Sequence, residues 1–212
     1  MSQGELRKQN IKLVVEKALG CFIRQGIDKT KVSQIAECAG LTERSVFRYF
    51  KTKTELVRAA SYLYWDKVLE YIDRQQPEEA SGRMTGLEEL GQLLICYSNL
   101  YFDDPRGLRF TLDAELTLHS AGMKNENRNQ PPEPYETSNG RVAKAIRRGL
   151  ADGSISPDVD VKEMYYNSYD TILGIMQRLS IGGTPSGSEL DYRKRMRSIS
   201  DMFVRAFSGY RI

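Results

Sequence analysis

Residues 42–53, TERSVFRYFKTK, crowd Arg44, Arg48, Lys51 and Lys53 together with the hydroxyls of Thr42, Ser45, Tyr49 and Thr52. These are the groups that meet a polyanion. A guanidinium can donate two parallel hydrogen bonds to guanine O6 and N7, and hydroxyls at helix starts can meet phosphates beside exposed backbone N–H groups. On a helical period Val46 and Phe50 share one arc with Leu41. Arg44, Phe47, Arg48 and Lys51 share the opposite arc, with Ser45 at its edge. Arg44 falls in the first turn, where base edges are usually reached. The competing reading is a solvated basic face at the corner of a helical bundle.

The elements that must position these groups are short. Val32, Ile35, Ala36 and Ala39 make a two-turn apolar stripe, with Thr30 as its candidate cap and Gly40 closing it. Leu41 and Thr42 open the next segment, which ends near Tyr49. Two brief helices joined by a glycine-containing turn have helix-turn-helix spacing, and the second must be slim enough to enter a major groove. A longer stripe from Ile11 to Ile23, stopped by Gly26, precedes the pair. Thr52-Lys53-Thr54-Glu55 reads as a capping box that opens a fourth helix running to about Gln75.

Helical periodicity continues through the rest of the chain, and strand alternation is almost nowhere found. Stripes run from Leu87 to Tyr101, from about Arg106 to His119, from about Pro134 to Ala151, onward from Asp160, and from Tyr192 to Ala206. Residues 76–84 read as a linker, 121–134 as a polar loop, and 182–187 as a turn. The expectation is an all-α fold of about nine helices, with a three-helix head and a larger helical body. The expected boundaries are residues 1–52 for the head, 53–75 for a connecting helix, and 76–212 for a ligand-binding and dimerisation domain.

Charge is unevenly placed. Residues 1–58 carry 12 Lys+Arg against 6 Asp+Glu, whereas residues 59–212 carry 19 against 22. A basic head on a slightly acidic body is the asymmetry expected when one part meets nucleic acid. The longest apolar run, Leu93–Tyr97, is far short of the ~20 residues of a membrane span. With no secretory signal at the N-terminus, a cytoplasmic protein is expected. Cys21, Cys38 and Cys96 are too scattered for a disulfide framework or a metal knuckle, and His119 stands alone, so neither metal nor cofactor is expected. No ordered Ser/His/Asp set, glycine-rich phosphate loop or HExxH motif marks an enzyme.

The run from Gly26 to Leu56, with VxxIAxxAG, LTxxSVFRYF and KTKTEL in succession, resembles the TetR family of bacterial transcriptional regulators. The resemblance is close over about residues 8–60. Farther on it rests on helix count and on GLADGSISPDVD (Gly149–Asp160). It implies a homodimer built on the last two helices, reading double-stranded DNA at a palindromic operator and released by a small effector. It also implies that Thr30, Thr42, Ser45, Tyr49 and Lys53 are phosphate and groove contacts, to which the helical arc adds Arg44, Phe47 and Arg48. The chain departs from the family at Phe47, where a tyrosine is common, and at Arg44, where many members carry a small residue. Tyr97, Tyr101, Phe110, Tyr165, Tyr169 and Met176 offer the aromatic and soft surface suited to a hydrophobic effector. The function expected is a ligand-responsive regulator, most simply a repressor. The alternative is an all-α binding protein or enzyme with a vestigial head.

Overall fold

The computed structural model describes residues 2–77, 83–123, 133–182 and 191–209. Among these there are nine α-helices and no strand. Parts of the expected linker, loop and turn (residues 78–82, 124–132 and 183–187) lie outside the described residues.

Helix α1 (Gln3–Gln25) starts at a Ser2/Glu5 capping box and ends at Gly26, whose φ of 86° is a conformation that side chains resist. Helix α2 (Val32–Cys38) and α3 (Glu43–Tyr49) follow, separated by Gly40 at φ 66°. Thr30 does not cap α2, contrary to the sequence reading. The cap residue is Lys31, whose N–H is taken by the Gln34 side chain at 2.9 Å. Helix α4 (Lys53–Gln75) begins as half of the expected box. Glu55 N–H donates to Thr52 Oγ1 at 3.1 Å, but the Glu55 carboxylate returns to Lys51 N–H instead of that of Thr52.

The chain divides into two compact units: Met1–Lys67 with Arg106–Asn129, and Val68–Pro105 with Gln130–Ile212. The division cuts inside α4, between the boundaries read from sequence, and gathers α6 (Pro105–Ser120) with the head helices. Within the first unit Val14, Ala18 and Phe22 of α1, Ile35 of α2, Val46 of α3 and Leu56 of α4 are buried. The Phe22 and Phe110 rings stack with centroids 6.0 Å apart, and Tyr64 meets Phe110 edge-on at 6.1 Å. Phe110, expected in the effector pocket of the body, is therefore core of the head unit.

In the second unit, α5 (Gly86–Asp103) packs against α7 (Arg141–Asp152), α8 (Val161–Ser180) and α9 (Tyr192–Phe207). Helix α7 starts at Arg141, later than the periodicity suggested. Thr137 and Ser138 N–H groups both donate to Pro134 O, so residues 134–138 close a turn, and Gly140 becomes the cap. The α5 and α7 backbones approach so closely that a Cβ on Gly86 would stand 2.0 Å from Gly149 N. Beside that crossing, the buried Glu89 carboxylate accepts from Arg141 at 3.0 Å and Arg148 at 2.7 Å. On α8, one of the two helices expected to form the dimer, Ser168, Ile172 and Leu179 are already buried in the single chain. Ile175, Ile199 and Phe203 stay half-exposed and Met202 is exposed.

Candidate nucleic-acid interface

Helix α3 is two turns long, and its cap is secured by side chains. Thr42 Oγ1 accepts the Ser45 N–H at 3.2 Å, and the two hydroxyls lie 2.9 Å apart. Val46 is buried and Leu41 and Phe50 are half-buried, which anchors one arc in the core. Arg44, Phe47, Arg48 and Lys51 are exposed on the other, with Ser45 half-buried between the arcs. Phe47 is 42% exposed, one of several large apolar side chains left so among the described residues.

Tyr49 is held where α3 meets α1. Its hydroxyl accepts from Asn10 at 3.3 Å and from Arg48 at 3.4 Å, and the Arg7 guanidinium lies 5.9 Å from the ring centroid. The Arg48 hydrogen bond, followed by that from Asn10, holds the Tyr49 phenol below its ordinary pKa. Arg7 and Asn10 were not singled out in the sequence, where only the basic count of the segment hinted at them. Lys53, in the first turn of α4, donates to Asp28 O at 3.4 Å, which ties its ammonium to the turn after α1 and leaves it further protons to donate.

Thr30 is placed differently from the others. It is 1% exposed, its hydroxyl donates to Gly26 O at 2.7 Å, and Gln25 Nε2 donates to it at 3.2 Å. A side chain so enclosed fastens the α1–α2 turn and presents nothing to a phosphate. The fold thus gathers Thr42, Arg44, Ser45, Phe47, Arg48, Tyr49 and Lys53 in the head unit around α3, and turns Thr30 inward.

Residues 14–60 match the family model described as bacterial regulatory proteins, tetR family. The head is a TetR-family DNA-binding domain. It is this head that carries the likeness to transcriptional regulators of that family, and no curated protein matches the sequence. Solved structures share the TetR-family fold along nearly the whole chain. A regulator from Mesorhizobium loti MAFF303099 assigned to the family aligns with a TM-score of 0.64 at 19% identity, over 99% of this chain and 98% of that one. SmeT, the repressor of the Stenotrophomonas maltophilia multidrug efflux pump SmeDEF, aligns at 0.62 with 21% identity, over 93% and 89%. FadR from Bacillus subtilis in complex with stearoyl-CoA aligns at 0.60 with 15% identity, over 92% and 98%.

In the second unit, the residues expected to meet an effector separate into two groups. Tyr97 of α5 meets Tyr169 of α8 edge-on at 5.4 Å, and Tyr169 meets Tyr165 at 5.1 Å. Tyr135 and Tyr166 extend the cluster against Tyr165, and neither was on the expected list. Burial pushes the Tyr165 phenol up to about 12 and raises those of Tyr97 and Tyr169 as well, so these three hydroxyls keep their protons at any ordinary pH. Met176 is buried on the same helix, α8. Tyr101 stands apart, edge-on to Phe102 and Tyr192. No group of three or more metal-ligating side chains and no helix able to cross a membrane occurs among the described residues.

Proposed function

We propose that this regulator is a repressor that binds a palindromic operator as a homodimer and leaves it when a small, largely apolar compound occupies the body. The exposed arc of Arg44, Phe47 and Arg48 on a two-turn, side-chain-capped helix carries the DNA-reading part. Arg44 is the base reader, because it stands in the first turn with its guanidinium in solvent. Thr42, Ser45, Tyr49 and Lys53 supply the phosphate contacts that fix register. That SmeT shares the fold supports the sign of regulation.

For the effector, Tyr97, Tyr165, Tyr169 and Met176 supply aromatic faces, hydroxyls and a thioether, with no cation among them and one carboxylate, Glu133, acting on the three phenols. That chemistry suits a planar or acyl compound better than a phosphorylated one. The stearoyl chain in the FadR complex supports the acyl class, and its phosphorylated CoA group does not. The dimer is assigned to α8 and α9, whose Ile175, Ile199, Met202 and Phe203 remain partly or fully exposed in the single chain.

The test is a binding titration against DNA upstream of the regulator's own gene and against random DNA. Arg44→Ala should cost about 1–3 kcal/mol on the cognate site and relax preference at one base position. Lys53→Ala should weaken both DNAs alike and lower the salt slope by about one unit per half-site. Equal loss on both DNAs for Arg44→Ala removes its role as a base reader. Absence of binding to every candidate sequence at low salt returns the chain to the class of all-α binding proteins or enzymes. Thermal-shift screening with aromatic and acyl compounds tests the effector chemistry, and tight binding by highly charged ligands alone refutes it.

A further inference from the structure

Two of the three cysteines, which looked unrelated by spacing, meet in the head. Cys21 sits in the last part of α1 and Cys38 is the final residue of α2, and their sulfurs are 3.9 Å apart. Cys21 is buried while Cys38 is exposed. Free cysteines usually behave as small buried apolar groups, so an exposed thiol in contact with a second thiol calls for another explanation. A sulfur–sulfur bond is about 2.05 Å long, so the pair lies about 2 Å from bonding distance. Burial, and then the contact with Cys38, hold the Cys21 thiol above its ordinary pKa, and the Arg24 guanidinium 3.4 Å from its Sγ opposes them and steadies the sulfur as its proton leaves. The third cysteine, Cys96 of α5, is buried and its thiol is pushed up to about 11 by burial, which makes it a built-in unreactive control.

We propose that Cys21 and Cys38 form a reversible disulfide when the protein meets a hydroperoxide, and that this bond weakens DNA binding. The exposed Cys38 thiolate attacks the peroxide. An S–O bond forms, the O–O bond breaks, and the departing alkoxide or hydroxide takes a proton to give an alcohol or water. The Cys38 sulfenic acid so formed faces Cys21. As Cys21 gives up its proton beside Arg24, its sulfur attacks that of Cys38, the S–O bond breaks, and hydroxide leaves as water. The net change is two thiols and one hydroperoxide to one disulfide, one alcohol or water, and one further water.

The consequence for DNA follows from what hangs on Cys38. Ala39, Gly40 and Leu41 all return backbone hydrogen bonds to α2, from Leu41 N–H to Ala36 O at 2.9 Å among others, and Thr42 then caps α3. Drawing the end of α2 toward α1 shifts the start of α3, where Arg44 stands. Contacts to base edges are sensitive to displacements well below 2 Å, because hydrogen bonds weaken steeply with distance and angle.

The test treats the full-length protein with hydrogen peroxide and maps its peptides without reduction. The expected product is a Cys21–Cys38 crosslinked peptide with Cys96 still a free thiol. Operator affinity should fall about tenfold or more, return on addition of dithiothreitol, and be insensitive to peroxide in Cys21→Ser and Cys38→Ser. Oxidation of Cys38 to sulfinic acid without the crosslink, or a crosslink that leaves affinity unchanged, overturns the proposal. The affinity arm rests on the DNA-binding reading above, whereas the peptide map does not. Reduced protein that binds no DNA would defeat that reading while leaving the disulfide to be judged from the map.

Discussion

Replacing Thr30 by valine separates a fastening residue from a phosphate contact. The change keeps shape and removes one hydroxyl. Two hydrogen bonds go with it: the donation to Gly26 O at 2.7 Å, its proton shared with Cys21 O at 3.5 Å, and the acceptance from Gln25 Nε2 at 3.2 Å. Each is worth about 1 kcal/mol net, and an acceptor left unsatisfied adds to the loss. Gly26 is half-buried, so water can partly reach its carbonyl, and Gln25 keeps its bond to Gln34 at 3.1 Å. The expected destabilisation is therefore about 2 kcal/mol, read as a lower urea midpoint with an unchanged m-value. Thr30→Ser should retain most of the stability. Because the hydroxyl faces inward, the affinity of the folded protein for DNA should be that of the wild type. An unchanged midpoint together with an affinity loss of about 1 kcal/mol on cognate and random DNA alike would show that Thr30 reaches the phosphate after all.

Three further perturbations address the body. Glu89→Ala strips the shared carboxylate from Arg141 and Arg148 but leaves Arg141 beside Asp73 and Gln76 O and Arg148 beside Thr85 O, and should cost about 2 kcal/mol in a denaturant melt. A change below about 1 kcal/mol, the ceiling for a surface pair, would mean the network is solvated. Gly86→Ala forces a methyl into the Gly149 backbone and should lower the melting temperature more than Gly174→Ala, which has open space. The opposite order in a calorimetric scan contradicts the close crossing. Phe203→Glu should convert the wild-type dimer to a monomer by light scattering and abolish operator binding, and a wild-type protein already monomeric at micromolar concentration refutes the assigned interface.

The head was readable because its signals are local. The α2 stripe, Gly40 and the Thr42 cap lie within about three turns of one another, so spacing alone fixes the order of elements and the arc that Arg44 and Arg48 occupy. What escaped depends on partners distant in sequence. Thr30 looks like a helix cap until its hydroxyl is seen against Gly26 O. Phe110 looks like pocket lining until Phe22 stacks on it. Cys21 and Cys38 are 17 residues apart, and only the packing of α1 on α2 brings their sulfurs together. The α7 start was misread because Val142, Ala143 and Ile146 fix the helix face but carry no information about where the preceding turn ends.

Phe47 carries a consequence for the operator as a chemical object. A phenyl ring offers no donor or acceptor, so on the proposed face its natural major-groove partner is the 5-methyl group of thymine. One position of the recognition sequence is then read as a methyl and not as a hydrogen-bonding edge. At that position 5-methylcytosine imitates thymine, while uracil, which pairs like thymine, does not. The regulator would thereby distinguish methylated from unmethylated copies of one DNA sequence, through a residue where the family commonly places a hydroxyl.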